Sequence, residues 1–312
     1  MRTRRVVAAA AVAVALAALG PGGLPANAGE GVCIGEAVTR RGTDGPDVIR
    51  GSEGDDVIAA LGGADVIVGR GGHDVICGGN GADVLRGNGD DDWLSGGGGD
   101  DRIVGGRGGD AVTFQYSDKP VRVDLSKGRA HGEGTDQLVS ITHVTGSRFD
   151  DVLLGDDNFN GLSGGLECCG DGDDRISGRG GTDYLSGSAG SDVIRGGDGM
   201  DVIYGDASKK GDRDRLYGGD GNDLVIGDNA EEAGDADVIE GGEGDDRLYG
   251  DNTFEGLPHR GGPDTIDGGA GDDTIRGQQD DDRLEGGEGS DELDGGAGSD
   301  ECTGGETTDR CE

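Results

Sequence analysis

Two stretches decide how this chain reads: Gly51-Ser52-Glu53-Gly54-Asp55-Asp56-Val57-Ile58-Ala59 and Gly78-Gly79-Asn80-Gly81-Ala82-Asp83-Val84-Leu85-Arg86. Each is nine residues long, with glycine first and fourth, aspartate sixth and an aliphatic residue eighth. From Gly42 the chain divides into such units without a gap as far as Thr113, eight units in all. The sixth position is aspartate every time: Asp47, Asp56, Asp65, Asp74, Asp83, Asp92, Asp101 and Asp110. The eighth is Ile49, Ile58, Ile67, Ile76, Leu85, Leu94, Ile103 and Val112, and only Asp90 breaks the run of fourth-position glycines.

Each position has a physical reason. Glycine permits the positive φ and close backbone approach of a tight turn. The last three residues predict a short strand whose side chains alternate, the eighth pointing inward and its neighbours facing water. Two units make one coil, so units i and i+2 stack on one edge with strands about 4.8 Å apart. That stacking sets an aspartate column along each edge. Carboxylates about 5 Å apart repel by about 1 to 3 kcal/mol at effective dielectrics of 80 to 20. Over many coils this exceeds the roughly 5–15 kcal/mol margin of a typical domain, so a counter-cation is required.

This pattern, G-G-x-G-x-D-x-U-x, resembles the RTX (repeats-in-toxin) nonapeptide family. The resemblance implies an all-β fold, a parallel β-roll or β-solenoid of two sheets with calcium-binding turns along both edges. It also implies several Ca2+ ions as cofactors, held by sixth-position aspartates and turn carbonyls, with folding and metal binding as one event. The expected affinity is that of extracellular modules, about 10⁻⁴ to 10⁻³ M.

From Phe114 to Thr145 the register is lost, and Val121–Leu125 and Leu138–Ile141 read as additional β-structure in a spacer. A second array starts at Gly146. Its candidate ligands are Asp151, Asp174, Asp183, Asp192, Asp201, Asp214, Asp223, Asp237, Asp246, Asp264, Asp273, Asp282, Asp291 and Asp300, with Asn160 and Asp309 in weaker units. Insertions precede Asp174, Asp214, Asp237 and Asp264. Counted from Asp151, these are all odd-numbered units, so the insertions are expected on one edge. The expected organisation is a cleaved leader over 1–28, a cap and first block over 29–113, the spacer over 114–145, and a second block over 146–312.

Composition agrees with a thin, cation-dependent stack. The chain has 72 glycines, 3% aromatics, and 65 acidic against 27 basic residues, for a formal charge of −38. No thick core is possible, and nucleic acid and anionic membranes are excluded as partners by charge. Arg2, Arg4 and Arg5, the apolar run Val6–Leu19 and Ala26-Asn27-Ala28 read as a cleaved export signal, placing the protein outside the cell. Six cysteines in an exported chain favour disulfides. Cys33 with Cys77 would tie down the N-terminal coil. Cys302 and Cys311, both counted as inward eighth positions, would close the other end, and Cys168-Cys169 could form only a vicinal bridge.

Two formal motifs are not taken at face value: the first is read as chance, the second as an insertion in the repeat array that can still hold calcium. Gly161-Leu162-Ser163-Gly164-Gly165 matches G-x-S-x-G, but Ser163 is an outward ninth position and His73, His131, His143 and His259 are scattered. Asp156-x-Asn158-x-Asn160-Gly161 with Glu167 matches an EF-hand loop, but strands rather than helices flank it. The chain is therefore expected to be non-catalytic: an extracellular calcium-binding scaffold, or alternatively an adhesin or matrix protein, or an accessory of a polysaccharide-modifying enzyme. A surface, matrix or polysaccharide partner would be met through the loops of one edge.

Overall fold

The computed structural model describes residues 32–165, 172–206, 212–228, 236–251 and 261–311. The leader, Glu167, the Cys168-Cys169 pair and His259 lie outside the described residues. Among those described there is no α-helix, and one short 3-10 turn spans Leu125–Lys127. No described helix is long and apolar enough to cross a membrane.

Two sheets of 15 and 14 strands, here sheet I and sheet II, face one another across the core. The chain alternates between them. Val66–Arg70 lies in sheet I, Val75–Asn80 in sheet II, and Val84–Gly89 is back in sheet I beside Val66–Arg70. Ile67 pairs with Leu85, and Ile76 with Leu94, each 18 residues on. The eighth positions form one continuous apolar ladder, with Ile67, Ile76, Leu85, Leu94, Ile103 and Ile203 fully buried. Burying a side chain of this size contributes about 1.5–3 kcal/mol.

The strands exceed the expected three residues. Val75–Asn80 runs six, and its pairing with Trp93–Gly98 continues through Gly79↔Gly97 and Asn80↔Gly98 in the turn. Such pairing needs bare backbones. Gly97 and Gly99 have φ of +91° and +129°, and a Cβ on either would collide with the carbonyl of Gly79 or Gly81. Nor is the eighth position alone in pointing inward. Burial alternates along Val66–Arg70 so that Ile67 and Gly69 are inside, and Asp65 just before them is 1% exposed. Period two carries the sixth and first positions to the inner face with the eighth.

The spacer widens only sheet I. Sheet II passes directly from Ala111–Thr113 to His143–Thr145 to Gly161–Ser163, all parallel. Sheet I runs from Arg102–Arg107 to Thr135–Val139 and then through two antiparallel pairings, Arg129–His131 and Arg122–Asp124, before Val152–Leu154. Register, expected to be lost to Thr145, returns earlier. His131–Val139 is a complete unit with Gly134 fourth, Asp136 sixth and Leu138 eighth. Its first residue is histidine, and the antiparallel hairpin before it puts it out of frame with both arrays.

Both ends are cross-linked. Cys33 bonds Cys77 across a separation of 44 residues, and Cys302 bonds Cys311 across nine. No described cysteine is free. Cys311, however, is not an eighth position: Thr308 pairs with Leu293, and Cys311 follows the last strand. The final turn is shortened, which shifts the count. Chain-entropy arguments give about 4 kcal/mol for the long loop and about 3 for the short one. Cys33→Ser with Cys77→Ser is therefore expected to lower the calcium-saturated melting temperature more than Cys302→Ser with Cys311→Ser, as differential scanning calorimetry would measure. Equal changes would show that loop length does not govern the effect.

Candidate metal centre

Each turn delivers its sixth residue to one of two columns. Turns from sheet II to sheet I carry Asp47, Asp65, Asp83, Asp101, Asp151, Asp174, Asp192, Asp214, Asp237, Asp264, Asp282 and Asp300, and Asp136 joins this column from a strand that follows the spacer hairpin within sheet I. All four insertions join strands in this direction, so their flanking strands place them on one edge, as the odd count anticipates. We call it the inserted edge. The plain edge carries Asp56, Asp74, Asp92, Asp110, Asn160, Asp183, Asp201, Asp223, Asp246, Asp273 and Asp291. Every one of these residues except Asp47 is at most 5% exposed.

The carboxylates are tied lengthwise along the stack. The backbone N–H of Asp65 donates to Oδ1 of Asp83, that of Asp83 to Asp101, and that of Asp101 to Asp136, at 2.8–3.0 Å. On the plain edge the same ladder runs from Asn160 through Asp183, Asp201, Asp223, Asp246, Asp273 and Asp291 at 2.7–3.0 Å. One oxygen of each carboxylate is thereby satisfied. The other, Oδ2, is buried without a hydrogen bond at Asp65, Asp74, Asp83, Asp183, Asp201, Asp246 and many others.

These second oxygens share a cradle with backbone carbonyls. A Cβ on the first-position Gly69 would collide with Asp74 Oδ2 and lie 3.0 Å from the carbonyl of Gly87 in the next coil. One on Gly78 would meet Asp83 Oδ2 and stand 2.7 Å from the Gly96 carbonyl. Only glycine leaves this space open. The donors converging on it are all hard oxygens, carboxylate and carbonyl, spread over neighbouring coils. That set suits calcium and lacks the nitrogen or sulfur donors of a zinc site. Among the described residues no three His, Cys, Asp or Glu side chains cluster as a metal group, so backbone carbonyls must complete any coordination shell.

Electrostatics show the cost of leaving the columns bare. Burial, first, and neighbouring carboxylates push Asp74, Asp223 and Asp273 up to about 6, with backbone N–H groups offsetting part of the rise. Asp92, Asp101, Asp183, Asp246 and Asp282 reach about 7 for the same reasons. On the inserted edge Asp264 rises to about 9 and Asp237 to about 10. Without a cation, Asp264 and Asp237 therefore retain their protons at neutral pH. Asp124 is the opposite case: despite burial, hydrogen bonds from Lys127, Arg179 and Ser126 hold its carboxyl well below the usual range.

The structure adds residues that the nonapeptide count passes over. Asp136 joins the inserted-edge column. Glu306, rather than Asp309, ends the plain-edge column, its Oε2 accepting the Asp291 N–H at 2.8 Å. Both columns are interrupted at the spacer. Val121 stands in the sixth place where its N–H meets Asp151 Oδ1, and Thr142 follows Asp110 on the plain edge. The EF-hand match dissolves into the roll: Asn160 is a sixth position between the strands Val152–Leu154 and Gly161–Ser163. Ser163 spends its hydroxyl on the Gly165 carbonyl, with Ser188 beside it, so it is held within its own turn rather than by a base.

A two-sheet parallel roll with inward carboxylate columns and glycine cradles defines a β-roll metal-binding protein as its class. The RTX calcium-binding nonapeptide repeat profile matches residues 41–76, 78–112, 170–194, 177–208, 210–230, 233–252, 260–293 and 276–311. These cover well over half the chain, and it belongs to that family of calcium-binding repeat proteins. The profile skips 113–169, and over 113–165 the roll nonetheless continues. No curated protein matches the chain.

Proposed function

We propose that this is an exported calcium-binding scaffold whose folding is driven by Ca2+ filling both edges. The sixth-position aspartates named in the two columns are the side-chain ligands, together with Asp136 and Glu306, and first-position carbonyls supply the rest. One observation carries the reading: buried Oδ2 atoms without hydrogen bonds, at residues such as Asp83 and Asp201, face a neighbouring coil's carbonyl across a space only glycine leaves open. A divalent ion turns that repulsion into attraction. Disulfides at both ends support export, since such bonds persist in oxidising surroundings. A chain filled with stacked repeats, its Ser163 hydroxyl held within its own turn, is read as non-catalytic. Attachment to a surface or matrix partner is the second reading, favoured by insertions confined to one edge.

Calcium titration of the purified chain, followed by far-ultraviolet circular dichroism, tests the proposal. The β-signal is expected to appear cooperatively between about 10⁻⁴ and 10⁻³ M calcium. Magnesium at equal concentration is expected to leave it absent, because that ion demands near-octahedral geometry and sheds its waters reluctantly. An identical response to both ions would remove the coordination argument.

A further inference from the structure

In many turns the second position is left-handed and turned outward. Leu61, Arg70, Asn88, Arg179 and Gln278 have φ between 81° and 101°, and Arg70 and Asn88 are exposed. Among the inserted-edge turns that depart from this, two bury an aspartate there. Asp228 and Asp251, following first-position Gly227 and Gly250, end the strands Leu224–Asp228 and Arg247–Asp251 without a positive φ. The strand runs on through the second position, and the side chain turns in. Asp228 is 3% exposed and Asp251 4%.

The two are register partners in adjacent coils, and each shares its turn with a sixth-position residue, Asp237 or Asp264. These turns therefore hold two buried carboxylates where the repeat supplies one. Neither oxygen of Asp251 has a hydrogen-bond partner, and Oδ2 of Asp237 and of Asp264 also lacks one. A Cβ on Gly261 would collide with Asp251 Oδ2. One on Gly250 would meet Asp264 Oδ2 and lie 2.8 Å from the Gly277 carbonyl. Oxygen atoms converge here from two positions of the turn. The charged groups that chiefly perturb Asp264 are Asp251, Asp282 and Asp228, all acidic. Around Asp251 they are Asp228, Asp282 and Asp280, and the Gln279 amide offsets only part of their effect without forming a normal hydrogen bond. A carboxylate pair buried like this without compensation is strongly unfavourable.

We propose that Asp251 and Asp264, completed by backbone carbonyls such as that of Gly277, form an additional site for a calcium-sized divalent cation, built on a second-position carboxylate and added to the ions of the repeat columns. The site rests on the calcium-dependent reading of the fold. On the inserted edge, second-position aspartate occurs only where an insertion follows, so the extra ion anchors the base of the insertion between Asp251 and Asp264. Glycine is the ordinary residue at this position, so Asp251→Gly restores the repeat without touching a sixth-position ligand.

Ions bound per chain are counted by equilibrium dialysis and metal analysis of the full, calcium-saturated protein. Asp251→Gly and Asp251→Asn are each expected to lose one calcium while keeping the wild-type β-signal. Asn88→Gly, at an exposed second position, should lose none. A wild-type ion count and affinity in both Asp251 variants would overturn the site and leave the pair sharing a proton instead. The shape-preserving Asn variant decides the matter if the glycine variant folds poorly. Wild-type protein that binds no calcium would refute the reading beneath. Wild-type binding with unchanged variants would refute the extra site alone.

Discussion

Held free of calcium at pH 8, the chain is expected to show little β-structure, and acidification to pH 5 should restore part of it. The sign follows from which state holds its protons more tightly. Asp74, Asp92, Asp101, Asp183 and Asp246 have folded values of about 6 to 7, against 3.8 for an ordinary aspartate. Between those values the fold binds protons that the unfolded chain releases. Stability of the ion-free fold is thus fully present below 3.8 and is lost as pH rises through 6 to 7, with Asp264 and Asp237 extending the loss to about 9 and 10. Each tenfold difference in proton affinity between folded and unfolded chain is worth about 1.4 kcal/mol per group. A column of such groups rivals the whole roughly 5–15 kcal/mol margin of a domain. Saturating calcium reverses the slope, because ligands must shed their protons to bind. Melting curves at pH 5, 6.5 and 8, in metal-stripped buffer and in 10 mM calcium, should therefore trend in opposite directions. Two profiles falling together toward acid would mean that the columns are not the ligands.

The elements that the sequence made legible are those fixed by the backbone period. Asp at six and an aliphatic residue at eight, repeated from Asp47 to Val112, specify coil length, stacking partner and the identity of the buried ladder. The odd count of the four insertions settles their shared edge, because alternation between two sheets leaves a turn no other choice. What escaped was fixed by register across the stack rather than along the chain. Asp136 belongs to a full unit, but an antiparallel hairpin at Arg122–His131 changes the frame on one sheet only. Glu306 takes a sixth place because the last turn is short, a change visible only from the pairing of Thr308 with Leu293. The inward turn of Asp228 and Asp251 depends on backbone dihedrals at the insertion bases. A nonapeptide count carries no sign of those dihedrals, although three Gly-Asp steps in equivalent places, at Asp206, Asp228 and Asp251, mark the positions in the sequence itself.

Removing one carboxylate from the middle of a column is expected to cost far more than removing one from its end. Asp201 is 1% exposed, accepts the Asp183 N–H at 2.7 Å, and donates its own N–H to Asp223 at 2.8 Å. Under the proposed reading it serves the ion on either side. At 10 mM calcium and a dissociation constant of about 10⁻⁴ M, one site stabilises by about 2.7 kcal/mol, so two sites contribute about 5. Asp201→Ala also strips the Asp183 N–H of its acceptor, which costs about 1–3 kcal/mol more. Asp47, half-buried at the start of the other column, has a neighbouring carboxylate on one side only, and Asp47→Ala should lose one ion. Each coil touches only its neighbours, so a broken rung also divides the stack. Calcium-saturated Asp201→Ala is therefore expected to melt in two steps, with the second block separating at the lesion, while Asp47→Ala melts in one. Without calcium the sign inverts, because deleting a buried charge from a like-charged column relieves repulsion. Calorimetry of both variants with and without calcium measures all four quantities. Equal losses in calcium, or a loss for Asp201→Ala in its absence, would show that these side chains hold the roll by packing rather than by sharing ions.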